Sequence, residues 1–135
     1  MMSIAIEKHQ LPTELSSMAR VEQLIDELKE KHQIPENIYG NLLIATTEAV
    51  NNAIKHGNKL DKSKVINLHF ESSDTEFCVT VIDQGDGFNY ENIPDPTLPE
   101  NIEKPDGRGI FIMKNLADEV KFEEQGRIVK LTFYK

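Results

Sequence analysis

A chain of 135 residues with 39% apolar and 28% charged side chains is long enough to bury a core without disulfides or metals. Its net charge of −8 repels phosphate backbones and anionic lipid, which argues against nucleic acid and membrane surfaces as partners but leaves room for a nucleotide. The lone cysteine, Cys78, cannot close an internal disulfide, residues 1–10 hold no apolar leader, and no apolar run reaches about 18 residues, so the expectation is one cytoplasmic domain over 1–135.

Ser3 to His9 alternates loosely and predicts a short strand. Pro12 and Thr13 then open a predicted helix that runs to about Lys31, with Leu15, Met18, Val21, Leu24, Ile25 and Leu28 recurring at three and four. A second helix is predicted from Pro35 to about His56, its core stripe formed by Ile38, Leu42, Ala45, Ala49 and Ala53, with Gly57 as its stop. Strands follow at Val65–Glu71 and Phe77–Ile82, joined by a hairpin turn over Ser72–Glu76. Asp83–Asp106 is a loop rich in proline and glycine, too long for an ordinary connection and therefore a functional candidate. A helix over Gly107–Ala117 and a hairpin of Val120–Glu124 with Ile128–Tyr134 close the chain. The order predicts an α+β two-layer sandwich, with a mixed, mainly antiparallel sheet and helices on one face.

Three places carry candidate chemistry. Glu48 and Asn52 stand four apart on one helix face, with Asn51 beside them. The pair suits a general base and an oxygen ligand for Mg²⁺, and equally a solvated face with Glu48 paired to Lys55. The strand ending at Ile82 runs into Asp83-Gln-Gly85-Asp-Gly87, either a plain turn or a place where a ligand approaches the backbone and a carboxylate meets an exocyclic amine. Asp106-Gly107-Arg108-Gly109 opens a helix, whose first N–H groups and positive dipole end suit phosphate. Neither a P-loop nor a dinucleotide-binding glycine fingerprint is present. His9, His32, His56 and His69 read as structural or solvent-exposed, and with no Trp a bound ring must rest on aliphatic or other groups.

Taken in order, these segments resemble the GHKL (histidine kinase-like) ATPases, and most closely their anti-sigma-factor serine/threonine kinases. Glu48 to Gly57 is similar to the N box, Val81 to Phe88 to the first glycine box, and Gly107 to Val120 to the second glycine box and its helix. The resemblance implies ATP and Mg²⁺ as cofactors, Glu48 as general base and Asn52 as Mg²⁺ ligand. It implies Asp83 on the adenine amine, Gly85 and Gly87 against the base, Gly107, Arg108 and Gly109 at the phosphates, and about Asn89 to Asp106 as a lid. It further implies transfer to a serine of a STAS-type antagonist, a sigma factor as second partner, and a homodimer for which the first helix and N-terminal strand are candidate surfaces. Pro105 and Asp106 stand where such kinases often carry basic or hydroxyl residues, which brings in an alternative: a nucleotide-holding partner-switch module with little transfer. A stand-alone histidine kinase domain is disfavoured, because no dimerisation helix with a phosphoacceptor His precedes the domain.

Overall fold

The computed structural model describes residues 5–85 and 105–135, and the side chains of 6–85 and 108–135. In chain order the elements are β1 (Ala5–Pro12), α1 (Ser17–His32), α2 (Glu36–Asn52), a π-helical turn (Ala53–Gly57), β2 (Val65–Ser72), β3 (Glu76–Ile82), α3 (Pro105–Leu116), β4 (Glu119–Glu123), a 3₁₀ turn (Glu124–Gly126) and β5 (Ile128–Tyr134). The strands form one sheet in the order β1-β2-β3-β5-β4, and every pairing among the described residues is antiparallel.

Period-two alternation decides which sheet face is covered. Ile66, Leu68 and Phe70 of β2, Phe77, Val79 and Val81 of β3, and Val129, Leu131 and Phe133 of β5 are all buried and share one cluster with residues of all three helices. Helix α1 contributes Val21, Leu24, Ile25 and Leu28. The predicted stripe of α2, Ile38, Leu42, Ala45 and Ala49, is buried in full and continues into Ala53 of the π turn. This is the α+β two-layer arrangement the sequence predicts. On the other sheet face Cys78 pairs with Thr132, Sγ to Oγ1 at 3.6 Å, and burial pushes its thiol up from the usual range.

Three boundaries differ from expectation, each for a local reason. The first helix starts at Ser17 rather than near Thr13, because β1 pairs as far as Pro12 with Val65. Between them Thr13 Oγ1 donates to Lys64 O at 2.6 Å and Ser17 Oγ to Pro12 O at 2.7 Å, so both hydroxyls satisfy backbone carbonyls of the sheet end. Leu15, placed in the predicted stripe, therefore lies outside the helix and is exposed. The second helix does not stop at Gly57 through a left-handed residue. It widens into the π turn, with Asn58 N–H donating to Ala53 O at 2.7 Å, and the reversal falls on Lys59 and Leu60, whose φ angles are 53° and 60°. The third helix begins at Pro105, since proline suits the first helical position, where its missing N–H costs nothing.

Among the described residues no helix is long and apolar enough to cross a membrane. Phe70 sits at the centre of the core, its ring 6.1 Å from that of Phe77 and 5.3 Å from His32. Phe70→Ala is expected to cost about 3–5 kcal/mol in urea unfolding, whereas Ile6→Ala at the exposed end of β1 changes stability by less than about 0.5 kcal/mol.

Candidate functional site

A pocket opens where α2, α3 and the sheet meet. Part of its lining follows from sheet register. Phe122, Val129 and Val81 are cross-strand neighbours on β4, β5 and β3, and all three line the cavity. Ile110 and Met113 of α3 line it too, as do Ala49, Asn52, Ala53, His56 and Gly57 of α2 and its π turn. Ala49 and Ala53 are small because they face the sheet closely, and this leaves room beside them.

Asp83 lines the same cavity and is buried. It continues the inward parity of Phe77, Val79 and Val81, so the alternation that builds the core also turns this carboxylate inward. The turn around it is tightly held. Asp83 N–H donates to Arg127 O at 2.9 Å, Gly85 N–H to Asp83 Oδ1 at 2.9 Å, and Gln84 N–H to Asn58 Oδ1 at 2.7 Å. Burial raises the Asp83 pKa above the usual carboxylate range, while the Gly85 N–H and the nearby Arg127 and Lys64 charges pull it partly back.

Glycine is required here by contact rather than by φ. A Cβ on Gly85 would overlap the carbonyl of Gly57, and a Cβ on Gly57 would overlap the Asp83 carboxylate. The N-box end and the first glycine turn thus meet backbone to backbone. At the other side of the site, a Cβ on Gly109 would lie 2.9 Å from Asn52 Nδ2, 3.1 Å from Glu48 Oε2 and 3.2 Å from Asn52 Oδ1. Glu48 and Asn52 are half-buried against Gly109, the fifth residue of α3, one turn in from the helix start whose first N–H groups lack intrahelical partners. Arg108 is exposed on that stretch and Gly109 is buried.

The structure therefore brings Glu48, Asn52, Asp83, Gly85 and Gly109 to one region, with Arg108 at its edge. Gly107 lies in the first turn of α3, and Gly87 and 89–104 of the expected lid lie outside the described residues. The lid's last two expected positions, Pro105 and Asp106, already belong to α3. Sequence reasoning missed three residues. His56, read as structural or solvent-exposed, lines the cavity; Gly57, read as a helix stop, makes room for Asp83; Gly126, read as part of a hairpin turn, lines the cavity with a φ of 88°. Only the adjacency of His56 and Gly57 to the Glu48/Asn52 face signalled them.

Among the described residues no group of three His, Cys, Asp or Glu side chains could hold a metal ion. The donor set suits a cation held by one amide oxygen and by ligand phosphates, the manner of Mg²⁺. Asn52 fits that use. Its amide oxygen is the atom that would face the cation, while its amide nitrogen, buried with no hydrogen-bond partner among the described residues, calls for an acceptor such as a phosphate oxygen.

Because its folded-state pKa is raised, Asp83 disfavours the folded state once pH climbs above the ordinary carboxylate range, and the penalty fades as pH falls below it. Asp83→Asn is expected to raise Tm at pH 7, since the amide still accepts from Gly85 N–H, and to lose that advantage near pH 3. Melting curves across this range check the sign.

Residues 11–133 match the Histidine kinase-like ATPase domain family. The chain is 35% identical over 99 residues to Serine-protein kinase RsbW of Staphylococcus aureus, strains JH9 and Newman among others, which is 67% of this chain and 62% of theirs. It spans, then, less than two thirds of the length of those relatives. Its backbone also superposes on a crystal structure of the RsbU and RsbW domains of a Mycobacterium tuberculosis protein, with a TM-score of 0.62 at 16% identity, covering 96% of this chain and 32% of that one. With nearly the whole chain matched and the boxes brought together around one cavity, the chain belongs to the histidine kinase-like ATPase domain family.

Proposed function

We propose that the chain is an ATP-dependent serine/threonine protein kinase of the anti-sigma-factor type. It phosphorylates a serine of a STAS-type antagonist, otherwise holds a sigma factor, and works in the cytoplasm. The observation that carries this reading is the seating of Gly109 against Glu48 and Asn52, beside a cavity lined by Asp83. The name of the Staphylococcus aureus relatives supports the choice of serine as acceptor.

In this reading adenine enters the cavity, and the Asp83 carboxylate accepts a hydrogen bond from its exocyclic amine. Val81, Ile110, Met113, Val129 and Phe122 enclose the ring, so an aliphatic wall and one aromatic replace the absent Trp. Gly85, by passing the Gly57 carbonyl without a side chain, lets the Asp83 turn close on the base. The triphosphate runs to the start of α3, where Gly107 presents its N–H, Arg108 a cation, and Gly109 a side-chain-free approach to Glu48 and Asn52. Asn52 would hold Mg²⁺ through its amide oxygen, and the bound ion would supply charge neutralisation. Glu48 takes the proton of the acceptor hydroxyl as its oxygen bonds to the γ-phosphorus. The bond from that phosphorus to the bridging oxygen breaks, and ADP leaves with the electron pair.

Two variants test the roles. Glu48→Gln is expected to bind ATP as the parent does and to lose transfer by about 10²–10⁴-fold. Asn52→Ala is expected to lose Mg²⁺-dependent ATP binding in calorimetric titration. Full transfer by the first removes Glu48 as base, and unchanged affinity in the second removes Asn52 as ligand. A parent chain that binds ATP and transfers nothing to a STAS-domain serine is a partner-switch module.

A further inference from the structure

Asn58 lies directly after the π turn and is 1% exposed. Its side chain makes three hydrogen bonds to three separate segments. Nδ2 donates to Thr13 Oγ1 at 2.9 Å and to Val65 O at 3.1 Å, and Oδ1 accepts from Gln84 N–H at 2.7 Å. The amide's orientation follows from chemistry, since a backbone N–H can only donate and a carbonyl can only accept. Gln84 returns the connection, its Oε1 accepting from Val65 N–H at 2.8 Å. Thr13 passes the network on to Lys64 O at 2.6 Å. The Asp83-Gln84-Gly85 turn is thus tied to the start of β2 and to the residue that follows β1 by one buried amide.

Neither neighbour of Gln84 is free to compensate. Asp83 N–H is committed to Arg127 O, and Gly85 N–H to Asp83 Oδ1. The Asn58 bond is the one tie on the Gln84 N–H, and it works beside the Arg127 and Gly85 bonds to hold the Asp83–Gln84 peptide from which the Asp83 carboxylate enters the cavity. We propose that Asn58 is a positioning residue for nucleobase recognition, acting through Gln84 N–H to hold the Asp83 turn. The proposal rests on the reading of the cavity as an ATP site. It assigns selectivity for adenine partly to a residue that does not line the cavity.

The test compares ADP with IDP, whose hypoxanthine has an oxo group in place of the exocyclic amine. Calorimetric titration of the parent is expected to show a preference for ADP. In Asn58→Ala the ADP affinity falls about tenfold, the worth of one well-placed hydrogen bond, while IDP affinity stays within about twofold. Thr13→Val removes a hydroxyl from the same network without touching Gln84 N–H, and is expected to lower Tm while keeping the ADP preference. An Asn58→Ala variant with the parental ADP-to-IDP ratio, or a Thr13→Val variant that loses it equally, makes Asn58 structural only and overturns the proposal. A parent that binds neither nucleotide overturns the ATP reading itself, and this inference with it. Should Asn58→Ala fail to fold, amide hydrogen exchange on the parent decides. The Gln84 amide is expected to be protected like those of β3 although its side chain is exposed, and loop-like exchange there overturns the proposal.

Discussion

At one edge of the cavity two backbones pass each other with no side chain between them. Gly57 closes the π turn, Gly85 follows Asp83, and a methyl group on either would overlap the other segment. This contact fixes how far the end of α2 stands from the end of β3. From that separation follow the inward placement of Asp83, the position of His56 on the lining, and the reach of Asn58 to Gln84 N–H. Substitution at either glycine would force a backbone shift in a region where every described N–H of the turn already has a partner.

Stability and recognition pull against each other at this point. Burying a carboxylate raises its pKa and costs free energy, and an amide nitrogen such as that of Asn52, with no partner among the described residues, adds to that cost. The surrounding core, centred on Phe70, Phe77 and Leu131, offsets both. Under the proposed function, these polar groups are held at a cost in stability for the sake of a ligand.

Much of the architecture was legible because its signals are periodic. The α2 stripe at Ile38, Leu42, Ala45 and Ala49 and the alternation along Val65–Ser72 state their burial directly. Asp83 stood out in the sequence through its Asp-x-Gly-x-Gly run at a strand end, and the fold adds that it continues the inward parity of β3. Where side chains override period, reading failed. Thr13 and Ser17 turn their hydroxyls to the sheet end, so the helix starts later and Leu15 falls on the outside. The π turn hides in a sequence that reads as continuing helix, since Ala53 to Gly57 differs from an α-helix only in which carbonyl each N–H finds. The role of Asn58 has no local signal, because its partners, Thr13, Val65 and Gln84, are contacts between distant segments that no local window contains.

The sheet order has a kinetic side. Because β3 pairs with β5 rather than with β4, the cavity draws its lining from Ala49 through to Val129, and no contiguous fragment of the chain can form it. Contacts of such sequence separation form late and slowly, after the entropy of closing the intervening chain has been lost. A molecule seated there acts as a clasp between early and late portions of the polypeptide. Its binding energy then appears in cooperative global unfolding and in the rate at which the two portions part.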